Sequence, residues 1–564
     1  MPFPLLEIEQ LTVGFVNQQS DVEVVRQLSF IVEAGAITAL VGESGSGKSV
    51  TAMSVMGLLN KQVRNSGSIW FSEDGSSRQD LLLMNEAALR MIRGAKIAMI
   101  FQEPMTSLNP LMSCGMQVVE AIRQHRLVSK REAKQEALQL FQKVQLPDPE
   151  QMFNKYPHQI SGGQQQRVMI AMAVSCRPKL LIADEPTTAL DVTVQKSVLD
   201  LLRKLSHEMG MGILLITHDL GLVADYASFV RVMYRGELAE SGITGQVLRN
   251  PAAAYTRALL ACRPAGKPPG SRLPVVSDFM MGDTMSVASA AVVYEPEPVL
   301  PKTAIEQDIL QVDKLSVHYP VPGESYFRAV HEVSFSIQKA ETVGLVGESG
   351  CGKTTLGRAI LQLIPYTSGT VRIQGRDLAG LSSGELRQLR KEMQVVFQDP
   401  YGSLNPRLTI GEALEEPVRV HQLEPDRVLQ RQRVMQMLDR VQLPQSAFHR
   451  YPHEFSGGQR QRLCIARALV LDPSFLVFDE SVSALDVSVQ AQILNLINDL
   501  KRDLKFAALF ISHDLSVVQY ISDRLLIMKQ GAIVESGITQ QVYSNPTHEY
   551  TRRLLSAIPG KALV

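Results

Sequence analysis

Gly42-Glu43-Ser44-Gly45-Ser46-Gly47-Lys48-Ser49 recurs as Gly347-Glu348-Ser349-Gly350-Cys351-Gly352-Lys353-Thr354. Residues of these types at this spacing handle phosphate. The glycines let successive backbone N–H groups wrap an anion, the lysine reaches its outer phosphates, and the last hydroxyl can ligate magnesium. This is the P-loop motif, and Val50 and Thr355 carry each copy into a following helix. The remaining chemistry is also doubled. Asp184-Glu185 and Asp479-Glu480 each end an apolar run. The first carboxylate of each pair suits a magnesium shell, and the second suits orienting and polarising a water. His218 and His513 each follow a further apolar run, and each lies 33 positions after its glutamate. A Ser-His-Asp triad is a poor reading of either histidine. Thr217 precedes His218, and in Ser512-His513-Asp514 the three are neighbours in sequence, which is the wrong way to build a triad.

A third motif, Ser161-Gly162-Gly163-Gln164 and Ser456-Gly457-Gly458-Gln459, opens a helical pattern in each copy. Free N–H groups at a helix N-terminus form an anion site. It stands 24 positions before the glutamate in both copies, far in sequence from a P-loop that already provides one phosphate cradle. The elements needed to position these residues are legible as short buried strands. Ile37-Thr38-Ala39-Leu40-Val41 and Val343-Gly344-Leu345-Val346 run straight into the P-loops. Leu180 to Ala183 and Phe475 to Phe478 stop at the carboxylates, and Ile213 to Ile216 and Leu509 to Ile511 stop just before the histidines. Strands of this kind alternating with helical patterns predict a parallel α/β core with functional residues at the strand ends. The fold class is therefore α/β, with two tandem P-loop NTPase domains. From lysine to the following Phe-Gln, the first copy is nine residues longer, an insertion expected in a surface loop.

At 564 residues the chain is too long for a single ordinary core. We divide it into a first domain at 1–265, a Pro/Gly/Ser-rich linker at 266–305 and a second domain at 306–564. Pro268-Pro269-Gly270 and Glu295-Pro296-Glu297-Pro298 predict an extended, partly polyproline-like linker. Lys and Arg total 57 and Asp and Glu 57, so no overall basic footprint for nucleic acid exists. No apolar run is long enough to span a bilayer, and Met1 to Gln10 lacks the basic region of a signal peptide. Five scattered cysteines without a C-x-x-C spacing argue for reduced cytosolic thiols. Cys351, inside a P-loop at a helix N-terminus, is a candidate for thiolate character and oxidative sensitivity.

The Ser-Gly-Gly-Gln segments resemble the signature motif of ABC ATPases, and the resemblance covers both halves of the chain. It implies a RecA-like core, an antiparallel β subdomain and a helical subdomain in each half. It implies a Q-loop at Gln102 and Gln398, which would also face the metal set of Ser49, Asp184, Thr354 and Asp479. It implies D-loops at Ala189-Leu190-Asp191 and Ala484-Leu485-Asp486, switch histidines at His218 and His513, and adenine-stacking aromatics at Phe15 and Tyr319. ATP and Mg2+ would then sit at two composite sites of an intramolecular dimer. One would pair Lys48, Asp184, Glu185 and His218 with Ser456 to Gln459. The other would pair Lys353, Asp479, Glu480 and His513 with Ser161 to Gln164. In the second half Ser481-Val482 replaces the usual Pro-Thr found at Pro186-Thr187, but the glutamate is present in both halves, so two hydrolytic sites are expected, their relative rates left open.

Finer features resemble the dipeptide, oligopeptide and glutathione importer branch. They are Phe101 to Pro110 and Phe397 to Pro406, Tyr156-Pro157-His158 and Tyr451-Pro452-His453, and the terminal Asn250-Pro251…Tyr255-Thr256-Arg257 and Asn545-Pro546…Tyr550-Thr551-Arg552. The resemblance implies a peripheral ATPase at the cytoplasmic face of a bacterial inner membrane. Its partners would be two integral-membrane permeases and, through them, a periplasmic binding protein, with no nucleic acid. The rival is a soluble tandem ABC ATPase acting on ribosomes, whose charged helical linker this chain lacks.

Overall fold

Apolar runs bounded by glycine and carboxylate become strands, and the periodicity within each run decides how many faces it buries. In the computed structural model the described residues are 3–16, 21–60, 63–102, 107–188, 190–280, 308–321, 324–483, 485–560 and 563. They form two compact units. The first is essentially the chain up to Leu260, and the second runs from Ala261 to Ile558 apart from short exchanges.

The first unit contains β1 Pro4–Val16, β2 Asp21–Glu33, β3 Ile37–Val41, β4 Val63–Phe71, β5 Gln79–Asp80, β6 Ile97–Ile100, β7 Leu180–Asp184, β8 Gly212–Thr217, β9 Phe229–Tyr234 and β10 Glu237–Ile243. Four strands form an antiparallel sheet in the order β2-β1-β4-β5, and six form the core sheet in the order β10-β9-β3-β8-β7-β6. In the core sheet β9, β3, β8, β7 and β6 run parallel, and only β10 is antiparallel. β3, β7 and β8 are buried along their whole length. Their side chains alternate between two clusters. Leu181, Ala183, Ile213 and Leu215 join the one that contains the helices Cys114–His125 and Gly162–Val174. Leu180, Ile182, Leu214 and Ile216 join the one that contains the β subdomain and the P-loop helix Lys48–Val55. A strand with both faces covered cannot slip by one residue without sending its whole apolar set to the wrong layer, and this pins the register.

The second unit repeats the plan with β11 Asp308–Val321, β12 Glu324–Gln338, β13 Thr342–Val346, β14 Ser368–Ile373, β15 Arg376–Asp377, β16 Met393–Val396, β17 Phe475–Asp479, β18 Ala507–Ile511, β19 Arg524–Lys529 and β20 Ala532–Ile538. Its sheets read β12-β11-β14-β15 and β16-β17-β18-β13-β19-β20. Between its β16 and the helix Gly457–Leu469 stand the helices Ile410–Val420 and Arg427–Arg440. The helices Cys114–His125 and Lys130–Lys143 take the same place in the first unit. Capping boxes fix several starts, Ser129 with Glu132 and Thr409 with Glu412 among them. Most of the nine-residue insertion falls in the β4–β5 hairpin, which has seven loop residues where β14–β15 has two.

The segment expected to be extended linker differs from expectation over its first part. Leu273 is fully buried and Val275 nearly so, within the second unit. The Asn495 amide bonds Leu273 on both sides, accepting from its N at 2.9 Å and donating to its O at 2.8 Å, while Tyr520 donates to the Ser271 carbonyl. Val276–Met280 is helical. Two apolar side chains set among Pro, Gly and Ser suffice to dock the chain when a side-chain amide satisfies the backbone between them. The Glu-Pro repeat falls outside the described residues. Among the described residues, no helix is long and apolar enough to cross a membrane.

Candidate functional site

Strand register assembles the site. Val41 pairs with Thr217, Ile216 with Asp184, and Ala183 with Ile100. The residues that immediately follow β3, β8, β7 and β6 are therefore the P-loop, His218, Glu185 and the Phe101-Gln102 segment, at one edge of one sheet. The second unit matches, with Leu345 paired to Ile511, Ile511 to Asp479, and Phe478 to Val396. In a parallel sheet the carboxyl ends share an edge, which is where such sheets bind ligands.

Each P-loop turns into its helix through a glycine at positive φ, Gly47 at 101° and Gly352 at 106°. A Cβ on Gly47 would stand 2.9 Å from the Val24 carbonyl oxygen, and one on Gly352 would stand 2.2 Å from that of Ala329, so only glycine fits. Lys48 is buried, and its Nζ donates to the Gly42 and Glu43 carbonyls at 2.8 Å each. Lys353 does the same to Gly347 and Glu348 at 2.8 and 3.0 Å. Both ammonium groups thus lie within their own loops. The arrangement can exchange these carbonyls for phosphate oxygens, which bear more charge.

Thr354 Oγ1 donates to Asp479 Oδ1 at 3.0 Å. In the first unit, Asp184 Oδ1 is buried without a hydrogen-bond partner. Burial pushes both aspartates above the ordinary carboxylate range, against hydrogen bonds from Ser49 and Thr354 that pull them down. A buried carboxylate oxygen without a hydrogen-bond partner, on a group that also meets a hydroxyl, is the donor chemistry that Mg2+ satisfies. Ser49 with Asp184 and Thr354 with Asp479 fit that ion, whereas Gln102 and Gln398, expected beside it, are turned here to Glu185 and Glu480.

Each glutamate is the hub of a short network. Glu185 accepts from Gln102 Nε2 at 3.0 Å and from Thr188 Oγ1 at 2.9 Å, and it faces His218 Nδ1 at 3.2 Å. Glu480 accepts from Gln398 Nε2 at 3.1 Å and faces His513 Nδ1 at 3.1 Å. Burial would raise the Glu185 carboxyl, yet His218, Thr188 and Lys48 together hold it down to about 2. Glu480 is likewise held low against burial by His513 and Lys353. His513, despite burial, is pushed up by Glu480. Both glutamates adopt φ near +50°, at 47° and 49°, a conformation that costs a non-glycine residue free energy and clusters at active sites. Their backbone N–H groups are held by the Ile216 and Ile511 carbonyls at 2.9 Å.

The signature segments open the helices Gly162–Val174 and Gly457–Leu469, each through a complete capping box of Ser161 with Gln164 or Ser456 with Gln459. The two glycines differ in task. A Cβ on Gly163 or Gly458 would meet Val194 at 2.7 Å or Val489 at 2.4 Å, whereas one on Gly457 would meet nothing within 4 Å. The second glycine permits close helix packing, and the first leaves the N-terminus open to an incoming anion.

Phe15 and Tyr319 lie on β1 and β11 and are more than one-third exposed, open for stacking. Asp191 caps the helix Val192–Met209, accepting from Val194 N, while Asp486 makes no such side-chain bond. Ala189 and Ala484 lie outside the described residues. The expectation of a thiolate at Cys351 is corrected. The side chain is buried against the P-loop, and burial pushes its thiol up despite Lys353. Thr188 is the residue that sequence reasoning missed. A hydroxyl three positions after the glutamate was its only signal, and Ser483, at the matching place, turns instead to the Glu480 carbonyl at 2.9 Å.

Two phosphate cradles, each at the carboxyl edge of a parallel sheet with a Gln–Glu–His network beside it, define a doubled P-loop ATPase. The chain belongs to the ABC transporter family, whose domain matches residues 25–188 and 330–483. The region described as the C-terminal region of oligopeptide/dipeptide transporters matches residues 534–561. The chain is 46% identical to the glutathione import ATP-binding protein GsiA of Pectobacterium atrosepticum, an alignment covering 98% of this chain and 89% of that one. The GsiA protein of Escherichia coli gives the same identity and coverage. Among solved structures, it is similar to an ATP-binding cassette captured as a dimer after hydrolysis with ADP and phosphate. That match is 28% identical with a TM-score of 0.38, and it covers 41% of this chain and 98% of that one.

Proposed function

We propose that this chain is the ATP-hydrolysing subunit of a membrane importer for small peptides of the glutathione type. The carrying observation is the repeated Gln–Glu–His network, Gln102–Glu185–His218 and Gln398–Glu480–His513, set beside each P-loop. The similarity to glutathione import proteins and the oligopeptide-transporter C-terminal region support the cargo class.

The P-loop amides and Lys48 or Lys353 hold the β- and γ-phosphates of ATP, and Phe15 or Tyr319 stacks on adenine. Mg2+, held by Ser49 and Asp184 or by Thr354 and Asp479, would neutralise charge on the phosphate oxygens. Glu185 and Glu480 stay ionised at neutral pH because their carboxyls are held low. Each therefore accepts a hydrogen bond from the attacking water and aims it in line, and His218 or His513 donates to the γ-phosphate as charge develops. The signature N-termini, Ser161 to Gln164 and Ser456 to Gln459, each complete the site of the opposite half. ATP at both sites closes the halves and drives alternating access of two permeases fed by a periplasmic binding protein. Closure is a two-state element biased by its ligand. The chain works at the cytoplasmic face of the inner membrane.

The test is co-purification of the tagged chain from gently solubilised host membranes, followed by reconstitution. We expect two integral-membrane partners and uptake of labelled glutathione that requires ATP and Mg2+. Ribosomes in place of membrane partners would overturn the transporter reading. Uptake of dipeptides with exclusion of glutathione would overturn the cargo class alone.

A further inference from the structure

The terminal Asn-Pro…Tyr-Thr-Arg pattern has no part in the network above, yet in both units it ends on the P-loop. The edge-strand carboxylate Glu240 accepts from Ala252 N at 2.8 Å and Ala253 N at 3.1 Å, and so sets the start of the helix Ala254–Ala261. Glu535 accepts from Thr547 N at 2.8 Å and His548 N at 3.0 Å before the helix Glu549–Ser556. An anion at a helix N-terminus is favourable on charge grounds as well. Arg257 and Arg552 close the same turns, donating to the Ala252 carbonyl at 2.7 Å and the Thr547 carbonyl at 2.9 Å. Tyr255 and Tyr550, each the second residue of its helix, are then buried, and each hydroxyl accepts from a P-loop backbone N–H. The bonds are Glu43 N to Tyr255 Oη at 3.2 Å and Glu348 N to Tyr550 Oη at 3.1 Å.

Glu43 and Glu348 are also the residues whose carbonyls receive the P-loop lysine. The tyrosine therefore holds the N–H of a residue whose carbonyl the lysine holds. The two bonds engage different groups of that residue, so a lysine turning to phosphate would not by itself break the tyrosine bond. In the second unit a cavity of about 250 Å³, lined by Glu348, Ser349, Gly350, Lys529 and Tyr550 among others, lies beside the loop, so the loop is not packed on that side.

We propose that Tyr255 and Tyr550 are positioning residues that brace the P-loops, and that the importer-type C-terminal region at 534–561, which holds Glu535, Tyr550 and Arg552, serves this purpose for the second P-loop. The inference rests on the P-loops being the ATP cradles. It is tested in the full chain with Tyr255→Phe, Tyr550→Phe and the double variant, which keep the buried rings. ATP affinity by equilibrium binding, KM and kcat for ATP, and nucleotide-free Tm are measured. For the double variant we expect KM and Kd to rise about three- to tenfold, as for loss of one hydrogen bond per site. kcat should stay within twofold and Tm within about 2 °C. Unchanged affinity, with or without a loss of Tm, would overturn the brace. Failure of the unsubstituted chain to bind ATP would instead overturn the reading of the P-loops.

Discussion

The two halves carry the same machinery and support it differently. Lysine, glutamate, glutamine and histidine occupy matching places, and their hydrogen bonds agree to within about 0.2 Å, while of the two aspartates Asp479 Oδ1 receives a hydroxyl and Asp184 Oδ1 does not. The second layer diverges. The Glu185 carboxylate receives the Thr188 hydroxyl, while Ser483 gives its hydroxyl to the main-chain carbonyl of Glu480 and not to the carboxylate. The signature helix of the second unit carries Arg460, which donates to the Pro452 carbonyl at 2.7 Å and stands 3.8 Å from the centre of the Tyr401 ring. The first unit has Gln165 in that place, donating to the Pro157 carbonyl at 2.8 Å. Groups that meet phosphate or water are held to narrow geometry, whereas groups that orient them can be replaced by others that fill the same space.

The sharpest way to break the comparison is Glu185→Gln against Glu480→Gln. Loss of the water-orienting carboxylate typically costs roughly 10²- to 10⁴-fold at its own site. If closure engages both sites as proposed, each single variant loses more than half of the total phosphate release. A single variant that retained full turnover would show that its site is not hydrolytic. Next in size is Thr188→Val against Ser483→Ala. Removing one hydrogen bond to a charged group predicts about a tenfold fall in site-one turnover, and Ser483→Ala should change turnover less than twofold. Equal effects in single-site assays would erase the asymmetry.

The pH dependence of stability isolates the second network. The folded pKa of His513 is raised above 6.5, so its pairing with Glu480 stabilises fully below pH 6.5 and is lost as pH rises through the raised value. The folded pKa of Glu480 is lowered from 4.5, so its share is present above pH 4.5 and is lost on acidification through the depressed value. Thermal melts should therefore show the largest gap between the unsubstituted chain and His513→Asn at pH 5–6, shrinking by pH 9. A constant gap would mean that His513 does not change its charge between pH 5 and pH 9. The smallest expected effect is that of Arg460→Gln, which makes the second signature helix like the first. It should lose about 1 kcal/mol and lower Tm by roughly 2 °C, with ATP turnover per folded molecule unchanged.

Phosphate chemistry, the doubling and the α/β class were legible in sequence because glycine, lysine and strand-end carboxylates are constrained residue by residue. Lys48 and Glu185 could be singled out from type and spacing, and His218 through its repeated spacing together with the family resemblance. Their meeting could not. Glu185 and His218 lie 33 positions apart, and only the pairing of Asp184 with Ile216 on neighbouring strands brings them within 3.2 Å. The backbone of Glu185 at positive φ, the hydroxyl of Thr188 and the reach of Tyr255 to Glu43 N were likewise hidden, since each depends on a partner distant in sequence or on a strained bend. Cys351 shows the reverse error. A helix N-terminus predicts a lowered thiol, and burial, which sequence does not display, decides the opposite. The docked Leu273 shows it again, because composition predicts an extended chain until Asn495 supplies the hydrogen bonds that let it bury. Sequence by itself determined which groups this protein has and that it has them twice. Tertiary structure alone decided which groups face each other and how hard each is held, because register, burial and strain are properties of neighbours that the chain brings together only on folding.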